Sequence, residues 1–256
     1  WFSAGAPSAV TTKLTLAEYG HENVVIAFID TGSEHSDSKR FINDCERWFD
    51  HPVTVLKSEK YSDTWDVWER RKFLIGPHGA ACTGLLKKQV RYAFQRPGDI
   101  QPFGYTAERR EQARAARFRA ENPEVDLRTP LITRGLYKPD CKAIMQDAGI
   151  RLPWLYEIGF QNANCMPCVK GGMGYWNKVR VEFPEEFRRM AALERRLGHA
   201  ILREPRSGAP LYLDDLDPGR GDYASEPDIS CSVLCSIASD ELAPVATGSP
   251  APGGDA

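Results

Sequence analysis

Residues 24–32, VVIAFIDTG, decide how this chain folds. Six apolar residues without a polar break suit a strand buried on both faces, as parallel strands covered by helices are. The run ends in Asp30-Thr31-Gly32, turn residues at which a strand hands over to a helix. Helical spacing over residues 39–49 and a short apolar strand at 53–56 complete a strand–helix–strand unit.

Upstream, Trp1-Phe2 reads as the end of a strand, SAGAPSA as a small-residue turn, and residues 10–19 as a helix. Downstream, residues 65–74 are helical in spacing and 87–94 suit helix or strand. QPFGY at 101–105 gives a further strand before an arginine-rich helix. Pro130-Leu131-Ile132 opens a unit that runs into a helix at 139–148, and a long amphipathic helix spans 184 to about 202. Strands alternating with helices predict an α/β fold with a doubly wound parallel sheet, whose ligands sit at the carboxyl ends of the strands. The expected organisation is a nucleotide-binding α/β domain over 1–204, a helical, cysteine-bearing C-terminal extension over 205–238, and a disordered tail over 239–256, rich in Gly, Pro and Ala.

The formal net charge is −2 over 256 residues, so nucleic acid would need a local basic face, for which residues 109–119 (RREQARAARFR) are the candidate. No apolar run has the length of a membrane span and no signal-peptide pattern is visible. Seven unevenly spaced cysteines do not resemble a secreted disulfide framework. They suit metal-binding or reactive thiols in the cytoplasm.

Small residues in SAGAPSA, between a strand and a helix N-terminus, expose backbone N–H groups that can cradle a phosphate or sulfate; a plain tight turn is the alternative. Asp30 at the second strand end suits a ribose hydroxyl or Mg2+. Cys82 follows small residues and precedes Lys87 and Lys88, a thiol beside an anion site. Arg110 and Arg114 follow a strand end where such loops converge. Cys165-x-x-Cys168 is the most informative pair. A redox dithiol, half of a zinc site and half of an iron–sulfur site all remain open. Pro167 and Lys170-Gly171-Gly172 suit a tight backbone wrapped around an anionic cluster. Cys231 and Cys235 in ISCSVLC are either buried packing or a thiol that reaches the site, and Cys45 reads as core.

In order, FSAGAPSAV, FIDTG, CTGLLKK, GYTAERREQAR, PLITRGLYKPD, LPWLYEIGFQNANCMPC and ISCSVLC resemble the phosphoadenosine phosphosulfate (PAPS) reductase-like family of the adenine-nucleotide α-hydrolase, or PP-loop, superfamily. The resemblance covers residues 1–235. It implies that Ser3, Gly5, Ser8, Asp30, Thr31 and Gly32 hold an adenine nucleotide, with Lys87, Lys88, Arg110 and Arg114 as anion contacts. It further implies a [4Fe–4S] cluster on Cys82, Cys165 and Cys168. The family's fourth cysteine is Ala81 here, so Cys141 or a C-terminal cysteine supplies the last ligand, or one iron stays open. The first turn departs from the S-G-G-x-D-S pattern of ATP pyrophosphatases, with Ala4 for the first Gly and Pro7 for the Asp.

The wording NCMPCVKGGMGYWN followed by FPEEFRRMAALER is most similar to stand-alone members in phages and DNA-modification loci, including the ATP pyrophosphatases of DNA phosphorothioation. That resemblance implies an ATP-dependent sulfur-transfer enzyme, with Lys87, Cys231 and Cys235 in catalytic roles. Sulfur would come from a cysteine desulfurase or another donor, and DNA or RNA would lie along residues 109–119. The alternatives are an adenylylsulfate or PAPS reductase in which Cys231 attacks the nucleotide's sulfur, and a nucleotide-binding scaffold without turnover.

Overall fold

The computed structural model describes residues 1–77, 79–163 and 165–229. The first half contains Ala6–Tyr19 (α1), Ile26–Ile29 (β1), Asp37–Phe49 (α2), Val53–Leu56 (β2) and Thr64–Arg71 (α3). A hairpin of Ile75–Gly76 (β3) and Gly79–Ala80 (β4) leads into a π-helical turn, Thr83–Lys88, continued by Gln89–Phe94 (α4). Then come Ile100–Pro102 (β5), Arg109–Glu121 (α5), Asp126–Arg128 (β6), Pro130–Thr133 (α6), Lys138–Asp147 (α7) and Trp154–Glu157 (α8). Met173–Glu182 (α9), Pro184–Leu197 (α10) and the hairpin Leu202–Arg203 (β7) with Pro210–Leu211 (β8) close the described chain.

The apolar run behaves as its composition demands: β1 is buried at all its positions and pairs in parallel with β2, Ile26 opposite Val53. On the other side of β1, Phe2 bridges Phe28 in parallel, its N–H donating to the Ala27 carbonyl at 2.9 Å. The Trp1 nitrogen donates to the Pro102 carbonyl at 3.1 Å, and β5 pairs in parallel with β6. The architecture is mixed α/β, with ten α-helices and short parallel strand pairs among the described residues. None of these helices is long and apolar enough to cross a membrane.

Helix ends follow local chemistry. Pro7 sits in the first turn of α1, where a missing N–H costs nothing. In α10, Pro184, Glu185 and Glu186 occupy the first turn and Arg195 and Arg196 the last, matching the helix dipole. Gly198, at φ 63°, ends that helix in a left-handed cap, ahead of the end near 202 that its amphipathic pattern suggests. Residues 87–94 resolve as helix, and residues 173–182 form a separate helix that the sequence pattern did not assign.

Three apolar clusters hold the molecule. One joins α1, β1 and α2 to α7 through Phe2, Phe28, Phe41, Leu131 and Met145. A second gathers Trp68, Leu86, Trp176 and Met190 around the Cys165–Cys168 loop. A small third one holds Phe103, Phe118 and Leu127. Leu211, Leu213 and Leu216 belong to the second cluster, so residues 211–216 pack into the main body, and the β7–β8 hairpin straddles the expected boundary at 204. Glu194 ties this region together. Its fully buried carboxylate accepts the N–H groups of Ile201 and Leu213, at 2.5 and 2.7 Å.

Candidate functional site

The first turn is knotted by one hydroxyl. Ser8 Oγ accepts the N–H groups of Ser3 at 3.0 Å and Gly5 at 3.4 Å, and donates to the Gly5 carbonyl at 2.9 Å. Ala4 is held at φ 54°, in the left-handed region that a glycine enters freely and alanine does at a cost of about 1–2 kcal/mol. A Cβ on Gly104 would lie 3.0 Å from the Ser8 nitrogen, so the segment after β5 approaches the turn backbone to backbone.

That close approach frames a cavity of about 390 Å³. Ser3, Gly5, Ser8, Lys87, Arg110 and Arg114, expected as nucleotide or catalytic contacts, all line it. Arg114 is paired with Glu111 at 2.5 Å and lies over the Tyr105 ring. The cavity also holds residues that the sequence reading did not select: Glu34, Lys138, Tyr156, Asn162 and Asp228. Burial pushes the Tyr156 phenol up to about 12, so its oxygen keeps its proton against Gly5, whose added Cβ would lie 3.1 Å away.

Asp30, Thr31, Gly32 and Lys88 do not line this cavity. Asp30 is turned back on its own loop, accepting the Gly32 N–H at 2.8 Å and pairing with Lys57 at 2.8 Å. Burial raises its pKa, but the hydrogen bonds from Lys57 and Gly32 outweigh that and hold the carboxyl below its usual range. Gly32 is required where it stands: at φ 72°, a Cβ would lie 2.2 Å from the Ser62 carbonyl oxygen. Glu34 instead carries the loop's carboxylate into the cavity, accepting the Thr31 N–H at 3.1 Å and hydroxyl at 2.7 Å. Burial raises its pKa, with Lys87 and the Thr31 hydroxyl opposing.

Beside the cavity lies a narrow cleft lined by Cys82, Cys165 and Cys168, together with Thr31, Trp68 and Lys87. The sequence places Cys82 far from the Cys165–Cys168 pair, and the fold brings all three thiols to one cleft. Cys165 and Lys87 line both the cleft and the larger cavity. Cys165 Sγ lies 3.0 Å from the Thr31 hydroxyl and 3.7 Å from a Glu34 oxygen, while the Cys168 N–H donates to the Tyr175 hydroxyl at 2.7 Å. No disulfide joins the five described cysteines to one another.

Cys141 is not part of this set. It is fully buried in the apolar cluster of α1 and α7, where burial pushes its thiol up to about 12, and it lines neither cavity nor cleft. Cys231 and Cys235 lie outside the described residues.

Soft thiolates are the donors that hold iron–sulfur clusters, and the cleft has a second feature suited to one. Trp68, on its wall, has a buried indole N–H without an acceptor among the described residues. The donor chemistry therefore fits a thiolate-bound group. The spacing is closed: about 10 Å³ lies between the walls, room for one water-sized sphere. Among the described residues no three His, Cys, Asp or Glu side chains are grouped as around a metal ion. Binding a cluster requires the walls to part.

Lys170-Gly171-Gly172, expected to wrap a cluster, has a visible packing role. A Cβ on Gly171 would lie 1.9 Å from Cδ1 of Tyr175, and one on Gly172 would lie 2.7 Å from the Glu226 carboxyl. Glu226 caps α9 from a distant segment, accepting the N–H groups of Gly174 at 2.6 Å and Tyr175 at 3.1 Å.

No family model matches the chain. It is similar to two proteins of Methanocaldococcus jannaschii, both named only as uncharacterized. MJ0066 is 25% identical over 193 residues, which cover 72% of this chain and 38% of that protein. MJ0973 is 24% identical over 211 residues, covering 77% of this chain and 47% of that protein. The chain thus spans less than half the length of the curated relatives it matches.

Proposed function

We propose that this chain is an adenine-nucleotide-dependent sulfur-transfer enzyme of the PAPS reductase-like kind. The observation that carries the reading is the shared wall: Cys165 and Lys87 line both a cavity of nucleotide-compatible size, in which Lys87, Arg110, Arg114 and Lys138 are the cations, and a cleft lined by three thiols. An anion-binding chamber next to clustered thiols is what joining phosphate activation to sulfur delivery requires. The parallel pairs are read as one doubly wound sheet in the order β6, β5, residues 1–3, β1, β2. The Trp1–Pro102 and Phe2–Ala27 hydrogen bonds that link the pairs support this order. The cavity then lies at the point where strand order reverses, the usual ligand position of such sheets.

In this reading ATP enters with its phosphates toward the first turn, Lys87 and Arg110. An acceptor oxygen attacks the α-phosphorus, pyrophosphate leaves, and the adenylylated oxygen becomes a good leaving group. The cations act by stabilising charge that moves onto phosphate oxygens. A cysteine persulfide charged by a cysteine desulfurase then attacks through its outer sulfur and AMP leaves. A second thiol cleaves the resulting disulfide, which leaves the sulfur on the acceptor and a protein disulfide that an external dithiol reduces. A cluster on Cys82, Cys165 and Cys168 would hold and present sulfur. The acceptor is nucleic acid running along α5, where Arg109, Arg110, Arg117 and Arg119 are exposed and Arg110 also enters the cavity.

The test is to load the anaerobic protein with labelled sulfur from a desulfurase, remove the donor, and add DNA or RNA with and without ATP. Label that moves to nucleic acid only with ATP supports the reading. Label that stays on the protein, or leaves equally without ATP, contradicts it. One observation favours the reductase as a second reading: Ile229 lines the cavity and precedes Cys231 by two residues. Release of sulfite and AMP from adenylylsulfate, lost in Cys231→Ser, would move that reading to the front.

A further inference from the structure

Among the described residues the charged side chains around the cavity balance. Lys87, Lys138, Arg110 and Arg114 face Glu34, Glu108, Glu111 and Asp228, four cations against four carboxylates. A chamber built for a polyanion has no use for a neutral lining, so each carboxylate needs an account. Three have local ones. Glu111 is held by Arg114 one helical turn away, Glu34 accepts from Thr31 in its own loop, and Glu108 accepts the Lys138 backbone N–H at 2.8 Å, fixing the start of α7.

Asp228 is different, because it arrives from the far end of the chain. Its carboxylate meets Lys138 Nζ at 2.6 Å, and the same ammonium donates to Asn162 Oδ1 at 2.8 Å. Lys138 is 18% exposed while Asp228 is 43% exposed: the lysine is fixed in the wall, and the aspartate lies over it from the solvent side. The segment that carries Asp228 is held elsewhere by contacts that do not involve the cavity. Glu226 caps α9, and the Tyr223 hydroxyl accepts the Gln161 N–H at 2.9 Å.

We infer that Lys138 is an anion contact of the nucleotide site and that Asp228 is its internal stand-in, a carboxylate occupying the place of a phosphate or sulfate oxygen until ligand displaces it. The inference rests on the nucleotide reading of the cavity and adds to it a residue and a means of control. Displacing Asp228 turns the lining from neutral to net positive and frees an ammonium already oriented by Asn162. The ligand class is an adenine nucleotide with at least two anionic groups, since Lys87 and Arg110 need one and Lys138 another.

The experiment is calorimetric binding of ATP, with inorganic pyrophosphate alongside, to wild type, Asp228→Asn, Lys138→Met and the double variant, each checked for native circular dichroism. Asp228→Asn is expected to bind ATP tighter by about two- to fivefold, the size of a partly exposed ion pair. It should gain nothing in the Lys138→Met background. Wild type that binds ATP while Asp228→Asn binds equally or more weakly overturns the inference and leaves the nucleotide reading standing. Folded wild type and Asp228→Asn that both bind neither ATP nor pyrophosphate overturn the two together.

Discussion

A single added carbon at Gly171 would lie 1.9 Å from the Tyr175 ring, and that ring's hydroxyl accepts the Cys168 N–H. Gly171→Ala should therefore destabilise the protein by about 1–3 kcal/mol, the usual range for overpacking, and disturb the thiol cleft through Tyr175. Urea denaturation checks the first effect, and a stability within a few tenths of wild type would refute the packing account. Glu194 makes a second prediction. Burial raises its pKa from 4.5 to about 7, with the Ile201 and Leu213 N–H groups opposing. Between those values the folded state keeps a proton that the unfolded state has released, so this group's contribution is full below about pH 4.5 and falls as pH rises to 7. Glu194→Gln should flatten stability over that window, whatever its effect at one pH; a slope unchanged from wild type would contradict the assignment. At this scale the sequence was informative about cysteines and glycines, whose chemistry is local. Asp228, Lys138 and Glu34 carried no such mark, because their importance comes from which distant residue each meets.

The elements were more legible than their junctions. β1 was readable because an unbroken apolar run leaves a strand little choice, β2 as a short run with two valines and a threonine, and α10 from its amphipathic pattern. The π-helical turn of residues 83–88 was not: only residues 87–94 were read as an element, suiting helix or strand equally, yet the turn places Lys87 on the shared wall of cavity and cleft. The first turn was read as an anion cradle or a plain tight turn, and the structure has its Ser3 and Gly5 N–H groups satisfied through Ser8. Ser8→Ala should cost about 1 kcal/mol, as loss of a helix cap does, and should weaken ATP binding by disordering Ser3 and Gly5. Thermal unfolding and titration of the same sample check both; a variant as stable as wild type would show that the Ser8 knot contributes nothing.

Over the whole molecule, the convergence of Cys82, Cys165 and Cys168 was suggested by collinear motifs, whereas the exclusion of Cys141 was not. A cysteine in a helical pattern gives no sign of which face it presents, and only packing between α1 and α7 decides it. After anaerobic purification or reconstitution, serine at position 82, 165 or 168 should abolish bound iron, sulfide and visible absorbance, and Cys141→Ser should keep them. Loss of iron in Cys141→Ser alone would move the site. The two chambers joined at Cys165 and Lys87 are the centre of the account, and nucleotide occupancy of the larger one is its first requirement. The most direct measurement is equilibrium binding of ATP to wild type and to Arg110→Ala. The account predicts one site per chain, weakened in Arg110→Ala by about tenfold or more, the worth of a charge-assisted hydrogen bond. No binding by the folded wild type, or equal binding by the two, would contradict it.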